Sequence, residues 1–219
     1  RIAGLIIEPI QSEGGDNHFR PAFMRALREL CSQNEIIFIV DEVQTGIGLT
    51  GKFWAHEHHH IEPDIVCFGK KTQVCGILAG PIIDHAPDNV FQRSSRISST
   101  FGGNLVDMAR CQRILEIIET DNLVGAAQRQ GLYLLNALQQ LQTRFPEQVS
   151  NVRGQGLLCA FDLPEADSRK RFVTDCAAAR VLVVGCGPQS VRLRPHLTVS
   201  PAEIDHGLGV MADVLEKMA

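Results

Sequence analysis

The sequence has no long apolar run. Its best uninterrupted stretches, residues 36–40 and 181–184, fall far short of the roughly 20 apolar residues that span a bilayer. An integral membrane protein is therefore not expected. There is no basic excess either: 21 Lys and Arg stand against 25 Asp and Glu, for a formal net charge of −4. The electrostatic footprint of a nucleic acid or an anionic membrane is missing. Seven cysteines (31, 67, 75, 111, 159, 176 and 186) form no Cys-x-x-Cys pair. An odd, scattered set reads as the reduced thiols of a cytoplasmic protein rather than a disulfide framework. Internal repeats, low-complexity tracts and long linkers are absent. The chain opens on Arg1 rather than Met, and residues 2–7 already read as an interior strand. The expectation is a piece that lacks its beginning.

What is present is ordinary for a globular protein: 219 residues, 44% apolar and 21% charged, enough for one large or two small domains. Residues 3–7, 36–40, 65–68 and 77–83 are apolar runs, the first three closed by Glu8-Pro9, Asp41-Glu42 and Gly69-Lys70. Residues 21–31 between them carry apolar positions at helical spacing. Continuous apolar strands predict a mostly parallel sheet covered on both faces in an α/β layer. Asn104 is placed to cap a helix over 105–119, with Leu105, Met108, Ala109, Leu115 and Ile118 on one side. A second helix follows over 123–145. The pattern then predicts a strand at 154–163, a helix at 166–179, strands at 181–184 and 191–194, and a helix at 201–217. This divides the chain into a partial large domain (1–103), connecting helices (104–145) and a small C-terminal α/β domain (146–219).

Ligands of open α/β sheets gather at the carboxyl ends of strands. Two strands here end in functional groups, one in Asp41 and one in Gly69-Lys70-Lys71. An acid and an amine converging on one crevice suit pyridoxal phosphate, which needs a Lys for its Schiff base and an acid for its pyridinium nitrogen. A capping Asp and a solvated Lys pair explain the same spacing, and periodicity leaves both readings open.

The residues carry more. Glu8-Pro9-Ile10-Gln11, Asp41-Glu42-Val43-Gln44-Thr45-Gly46, Leu49-Thr50-Gly51, Pro63-Asp64-Ile65-Val66, Gly69-Lys70 and Ser99-Thr100-Phe101-Gly102-Gly103-Asn104 occur in order. Val152-Arg153-Gly154-x-Gly156-Leu157 and Val191-Arg192-Leu193-Arg194-Pro195 continue the string. It resembles the class III (ω-type) aminotransferases of the pyridoxal-phosphate fold type I superfamily, over essentially the whole chain. Gly14-Gly15-Asp16, His18-Phe19-Arg20-Pro21 and the segment from Gly69 to Gly76 resemble the lysine ε-aminotransferase branch of that family.

The resemblance implies a fold type I transferase: part of the large mixed-sheet domain plus the small C-terminal α/β domain. It implies that Lys70 holds pyridoxal 5'-phosphate through a Schiff base and moves the proton, with Lys71 as the competing candidate. It assigns Asp41 to the ring nitrogen, Val43 to the ring face, Gln44 to the phenolic oxygen, and Thr100 to the phosphate bound by the partner in a homodimer. Two residues apart on one strand, Asp41 and Val43 would share a face. Arg192 matches the substrate-carboxylate residue, with Arg194 as the alternative, and Glu13 an acid that pairs with it. Pairing would hide the cation from L-lysine, and parting would expose it to 2-oxoglutarate. The implied reaction moves the ε-amino group of L-lysine to 2-oxoglutarate, giving 2-aminoadipate 6-semialdehyde and glutamate. Alternatives are another ω-aminotransferase, acting on ornithine or 4-aminobutyrate, or an inactive truncated homologue serving as a structural partner.

Several positions depart from the family string: Ser12 for the usual Gly, Phe101 for Trp, and His196 for a second Pro. Family members are also longer, and their N-terminal portion supplies the phosphate-cradling loop and the aromatic that stacks on the ring. His56-Glu57-His58-His59-His60 invites a metal reading, against which a solvated helix end is expected. Gly154-Gln155-Gly156 and Gly185-Cys186-Gly187-Pro188 are expected as turns, because no helix follows them as a phosphate site requires. Cys75 is expected as a packed thiol.

Overall fold

The computed structural model describes residues 2–93, 95–97 and 100–218. In chain order the elements are β1 (Gly4–Ile7), β2 (Ile10–Gln11), β3 (Asn17–His18), α1 (Pro21–Gln33), β4 (Ile37–Asp41), β5 (Ile65–Phe68), β6 (Gly76–Ala79), α2 (Leu105–Thr120), α3 (Leu123–Arg144), β7 (Ser150–Gln155), β8 (Leu158–Asp162), α4 (Ala166–Ala178), β9 (Val184–Cys186), β10 (Ser190–Leu193) and α5 (Pro201–Met218). Short 3-10 turns occupy Ala55–His59, Lys70–Thr72 and Pro81–His85.

The first sheet runs β1-β4-β5-β6, with β1, β4 and β5 parallel and β6 antiparallel to β5. Helix α1 starts at Pro21, whose fixed φ suits a first turn, and buries Met24 and Cys31 against Phe38, Val40 and Ile61. Asp64 stitches this layer. Its Oδ2 accepts the Phe38 N–H at 2.7 Å and the Arg28 guanidinium at 2.8 Å.

The other face departs from expectation. Burial alternates along β1 and β4, and Ile6 remains 62% exposed, so among the described residues only one face of this sheet is covered. The run expected over 77–83 also stops early, since Gly80-Pro81 turns the chain after Ala79 into a 3-10 turn.

The second sheet runs β7-β8-β10-β9, all antiparallel. The strand expected over 154–163 is a hairpin instead: Gly156, at φ +57°, reverses the chain between β7 and β8. The strand expected at 181–184 lies later, at Val184–Cys186. Every residue of β8 is buried, and α3, α4 and α5 close over it in one core with Leu138, Phe161, Phe172, Val191 and Leu215. Ile10 and Leu49 join this core from the N-terminal half, which draws the β2–β3 ribbon onto the second sheet. Helix α2 begins as predicted, Asn104 Oδ1 accepting the Val106 N–H at 2.9 Å. Its expected apolar side is mostly bare. Ile118 is its one buried residue among those described, while Leu105 is 84% exposed.

Candidate active site

Parallel strands β4 and β5 pair with Asp41 beside Cys67, so Asp41 and the Gly69-Lys70-Lys71 segment emerge from the same sheet edge. Burial, with Asp41 adding to it, raises the Cys67 thiol pKa. Strand β4 ends at Asp41, and Val43 lies in the turn that follows. The strand-face argument for Asp41 and Val43 is thus corrected. What joins them is a local bond, the Val43 N–H donating to Asp41 Oδ1 at 3.0 Å, an Asx turn that fixes the carboxylate's rotation.

The adjacent lysines differ. Lys71 is half-buried and its Nζ donates to the Gln44 carbonyl at 2.7 Å. Burial, reinforced by Arg194, lowers its pKa to about 8. Lys70 is exposed, sits at φ +54° and opens the 3-10 turn. The two lysines border a cleft of about 450 Å³ together with Arg194, Leu197, Ile117 and Leu123. Asp41, Val43 and Thr100 do not line it.

Gln44 is buried and doubly held. Its Nε2 donates to Glu13 Oε1 at 3.1 Å, and its Oε1 accepts from Arg194 Nη1. The same Glu13 oxygen accepts Arg192 Nη2 at 2.7 Å. The Arg192 bond, then the Gln44 bond, hold the Glu13 carboxyl below its ordinary pKa. The pair is asymmetric: the Arg192 side chain is 3% exposed and that of Glu13 68%. Arg192 and Arg194 thus both reach this cluster, one to Glu13 and one to Gln44. Thr100 lies in an exposed turn, followed by Phe101 at 78% exposure. Ser98 and Ser99, which precede it in the motif, lie outside the described residues.

The turn carrying Glu13 is built with care. The Ser12 carbonyl accepts the N–H groups of Gly15 and Asp16, and the Glu13 carbonyl accepts the Gly187 N–H at 2.9 Å. Gly187, at φ +50°, passes so close that a Cβ there would stand 2.8 Å from the Gly15 Cα. Arg153 braces the same turn from β7. It donates to the carbonyls of Gly15 and Asp16 and to Asp162 and Ser190.

Sequence reasoning passed over three groups here. Asp16 is fully buried beside Arg192, and nothing in one sequence shows an acid turning inward. Arg153 likewise carries no mark in the sequence of the turn it braces. Glu42 is buried and accepts from Thr45, Ala55 and His56. That bond also corrects the solvated helix end expected for the histidines. His56 pairs with Glu42, His58 with Thr50, and His59 is buried. Cys75 is exposed rather than packed, because β6 lies at the sheet's uncovered edge.

The family model for class-III aminotransferases matches residues 1–215. An L-lysine-epsilon aminotransferase of Mycobacterium tuberculosis is 50% identical over 214 residues, covering 98% of this chain and 48% of the relative. That of Streptomyces clavuligerus is 46% identical over 219 residues, 100% of this chain and 48% of the relative. The mitochondrial 4-aminobutyrate aminotransferase of Sus scrofa is 37% identical over 98% of this chain and 42% of its own length. A solved structure of lysine aminotransferase from M. tuberculosis superposes with a TM-score of 0.94 at 48% identity, over 98% of this chain and 49% of that one. The chain spans about half the length of the curated relatives it matches. From the first strand to the last helix, this chain belongs to the class-III aminotransferase family.

Proposed function

We propose that the protein containing this chain is a pyridoxal-phosphate-dependent aminotransferase that moves the ε-amino group of L-lysine to 2-oxoglutarate, giving 2-aminoadipate 6-semialdehyde and glutamate. The observation that carries this reading is the Glu13–Arg192 pair, a buried guanidinium covered by an exposed carboxylate, beside one tied lysine and one exposed lysine. The donor set suits the cofactor: an exposed amine at Lys70, a carboxylate at Asp41 with its rotation fixed, and a Gln44 amide whose Nε2 keeps a second N–H. When bound, the cofactor supplies a carbonyl to receive the amine and a protonated ring that draws electrons from the reacting carbon.

In this reading Lys70 would hold the cofactor and would move the proton at the substrate's ε-carbon. Asp41 would keep the ring nitrogen protonated, Val43 would pack on the ring and Gln44 would donate to the phenolic oxygen. Thr100 reaches the phosphate in the partner of a homodimer, for which the bare side of α2 offers an apolar surface. Glu13 covers Arg192 while the amine donor is bound. It parts from Arg192 so that the planar fork can take a carboxylate of 2-oxoglutarate. The names of the relatives favour lysine over 4-aminobutyrate by the difference between 50% and 37% identity. The seven free thiols suit a reducing cytoplasm.

The test is a panel of amine donors on the complete protein, with Lys70→Ala and Lys71→Met alongside. Lysine is expected to lead, Lys70→Ala to abolish both the visible cofactor band and turnover, and Lys71→Met to keep the band. A wide preference for ornithine or 4-aminobutyrate overturns the lysine assignment. Well-folded protein without a band overturns the enzyme reading in favour of an inert structural partner.

A further inference from the structure

Glu13 is not the only carboxylate on Arg192. Asp16 Oδ1 stands 3.9 Å from Arg192 Nη1, the terminal nitrogen other than the Nη2 that Glu13 holds. Among the described residues neither Asp16 oxygen nor Arg192 Nη1 has a hydrogen-bond partner, and all three atoms are sealed from solvent. The two acids differ in freedom. Glu13 projects on an exposed side chain, whereas Asp16 is fully buried, its N–H bonded to the Ser12 carbonyl and its own carbonyl to Arg153.

Leaving a guanidinium this deep without an anion is costly, since an uncompensated buried charge is destabilising. A cover that swings away therefore needs a second acid that stays. We propose that Asp16 is the fixed counter-ion of Arg192, a positioning residue that compensates the guanidinium once Glu13 departs and weakens its grip on substrate carboxylates. The inference rests on the reading of Arg192 as the carboxylate site. A tempered grip suits a residue that must release a dicarboxylate in every cycle.

The charge of Asp16 is itself conditional. Burial pushes its pKa up to about 7, against the pull of Arg192, Arg153 and Arg194. The groups around it are Glu13 in its own turn, Arg153 on β7, Cys159 on β8, Cys186 on β9, Arg192 on β10 and Arg194 just beyond. Burial raises the Cys159 and Cys186 thiols to about 12 and about 11, and Glu13 is held below its ordinary range. His18, two residues on, is lowered by burial to about 4. Within this set Asp16 is the group that changes charge near neutrality.

The experiment measures binding of glutarate, a dicarboxylate that cannot transaminate, to the complete cofactor-loaded protein by calorimetry. The background is Glu13→Ala, which removes the competing cover. In Glu13→Ala, affinity is expected to tighten about fivefold between about pH 8 and about pH 6, as the opposing anion is neutralised. In Glu13→Ala/Asp16→Asn it is expected to be tight at both. A flat profile in Glu13→Ala, or the same slope in both variants, overturns the proposal. Should the double variant not fold, the profile of Glu13→Ala/Lys71→Met decides, because Lys71, lowered to about 8, also changes charge in this window. Glu13→Ala/Arg192→Ala separates the layers. Undiminished glutarate binding there sinks the carboxylate-site reading itself, whereas lost binding there with no effect of Asp16 sinks only the counter-ion.

Discussion

Lys71 gives up solvent to reach the Gln44 carbonyl, and burial lowers its pKa to about 8 from an ordinary 10.5. Between those values the unfolded chain keeps a proton that the folded one has released, so stability rises with pH across that window. Lys71→Met is expected to remove this rise. Denaturation at about pH 8 and about pH 10 should show wild type gaining on the order of 1 kcal/mol relative to the variant, after discount for partial solvation. Asp16 has the opposite sign. Its folded pKa lies above its unfolded one, so the stability it contributes is present below about pH 4 and is lost as pH rises to about 7. Asp16→Asn, which keeps the shape and suits the left-handed φ of +48°, is expected to stabilise the fold at about pH 8 by more than about 1 kcal/mol. A thermal or denaturant titration checks it. A gain in stability with altered carboxylate binding is the pattern of a residue kept for function.

At the level of elements, the sequence was most informative where chemistry is local. The Asn104 cap, the Pro21 start and the strand at Ile65–Phe68 were all legible, because each depends on neighbours in the chain. The hairpin of β7 and β8 was not. Its two strands and turn read as one apolar run, and only the tertiary path makes Gly156 a reversal. The Glu13–Arg192 pairing was anticipated from family resemblance; spacing could not supply it, since 179 residues separate the partners. Asp16 stayed invisible because inward and outward acids look alike in a sequence. The hairpin also yields a prediction. Gly131 on α3 lies against Gly156 so closely that a Cβ would meet its carbonyl carbon at 2.1 Å. Gly131→Ala is expected to destabilise by about 3 kcal/mol, as overpacking against rigid backbone does, measured by denaturant unfolding.

For the whole molecule, the apolar side chains left bare on α2 and at Phe101, with Leu105 84% and Phe101 78% exposed, mark a surface that suits a partner. Leu105→Asp with Met108→Asp alters exposed positions on α2 and should leave the local fold intact. In the complete protein it is expected to shift the homodimer proposed above toward monomer, read by size-exclusion chromatography with light scattering. An unchanged elution volume would remove α2 from the interface. The main-chain bond from Gly187 to Glu13 has a consequence at this scale. It ties the backbone of the acid to the hairpin that bears the arginine, so any hinge bending between the two sheets carries both as one rigid piece. Under the proposed function, choosing between a substrate end that lacks a carboxylate and one that bears it then needs only a rotamer change at Glu13, insulated from whatever larger motions admit and release the reactants.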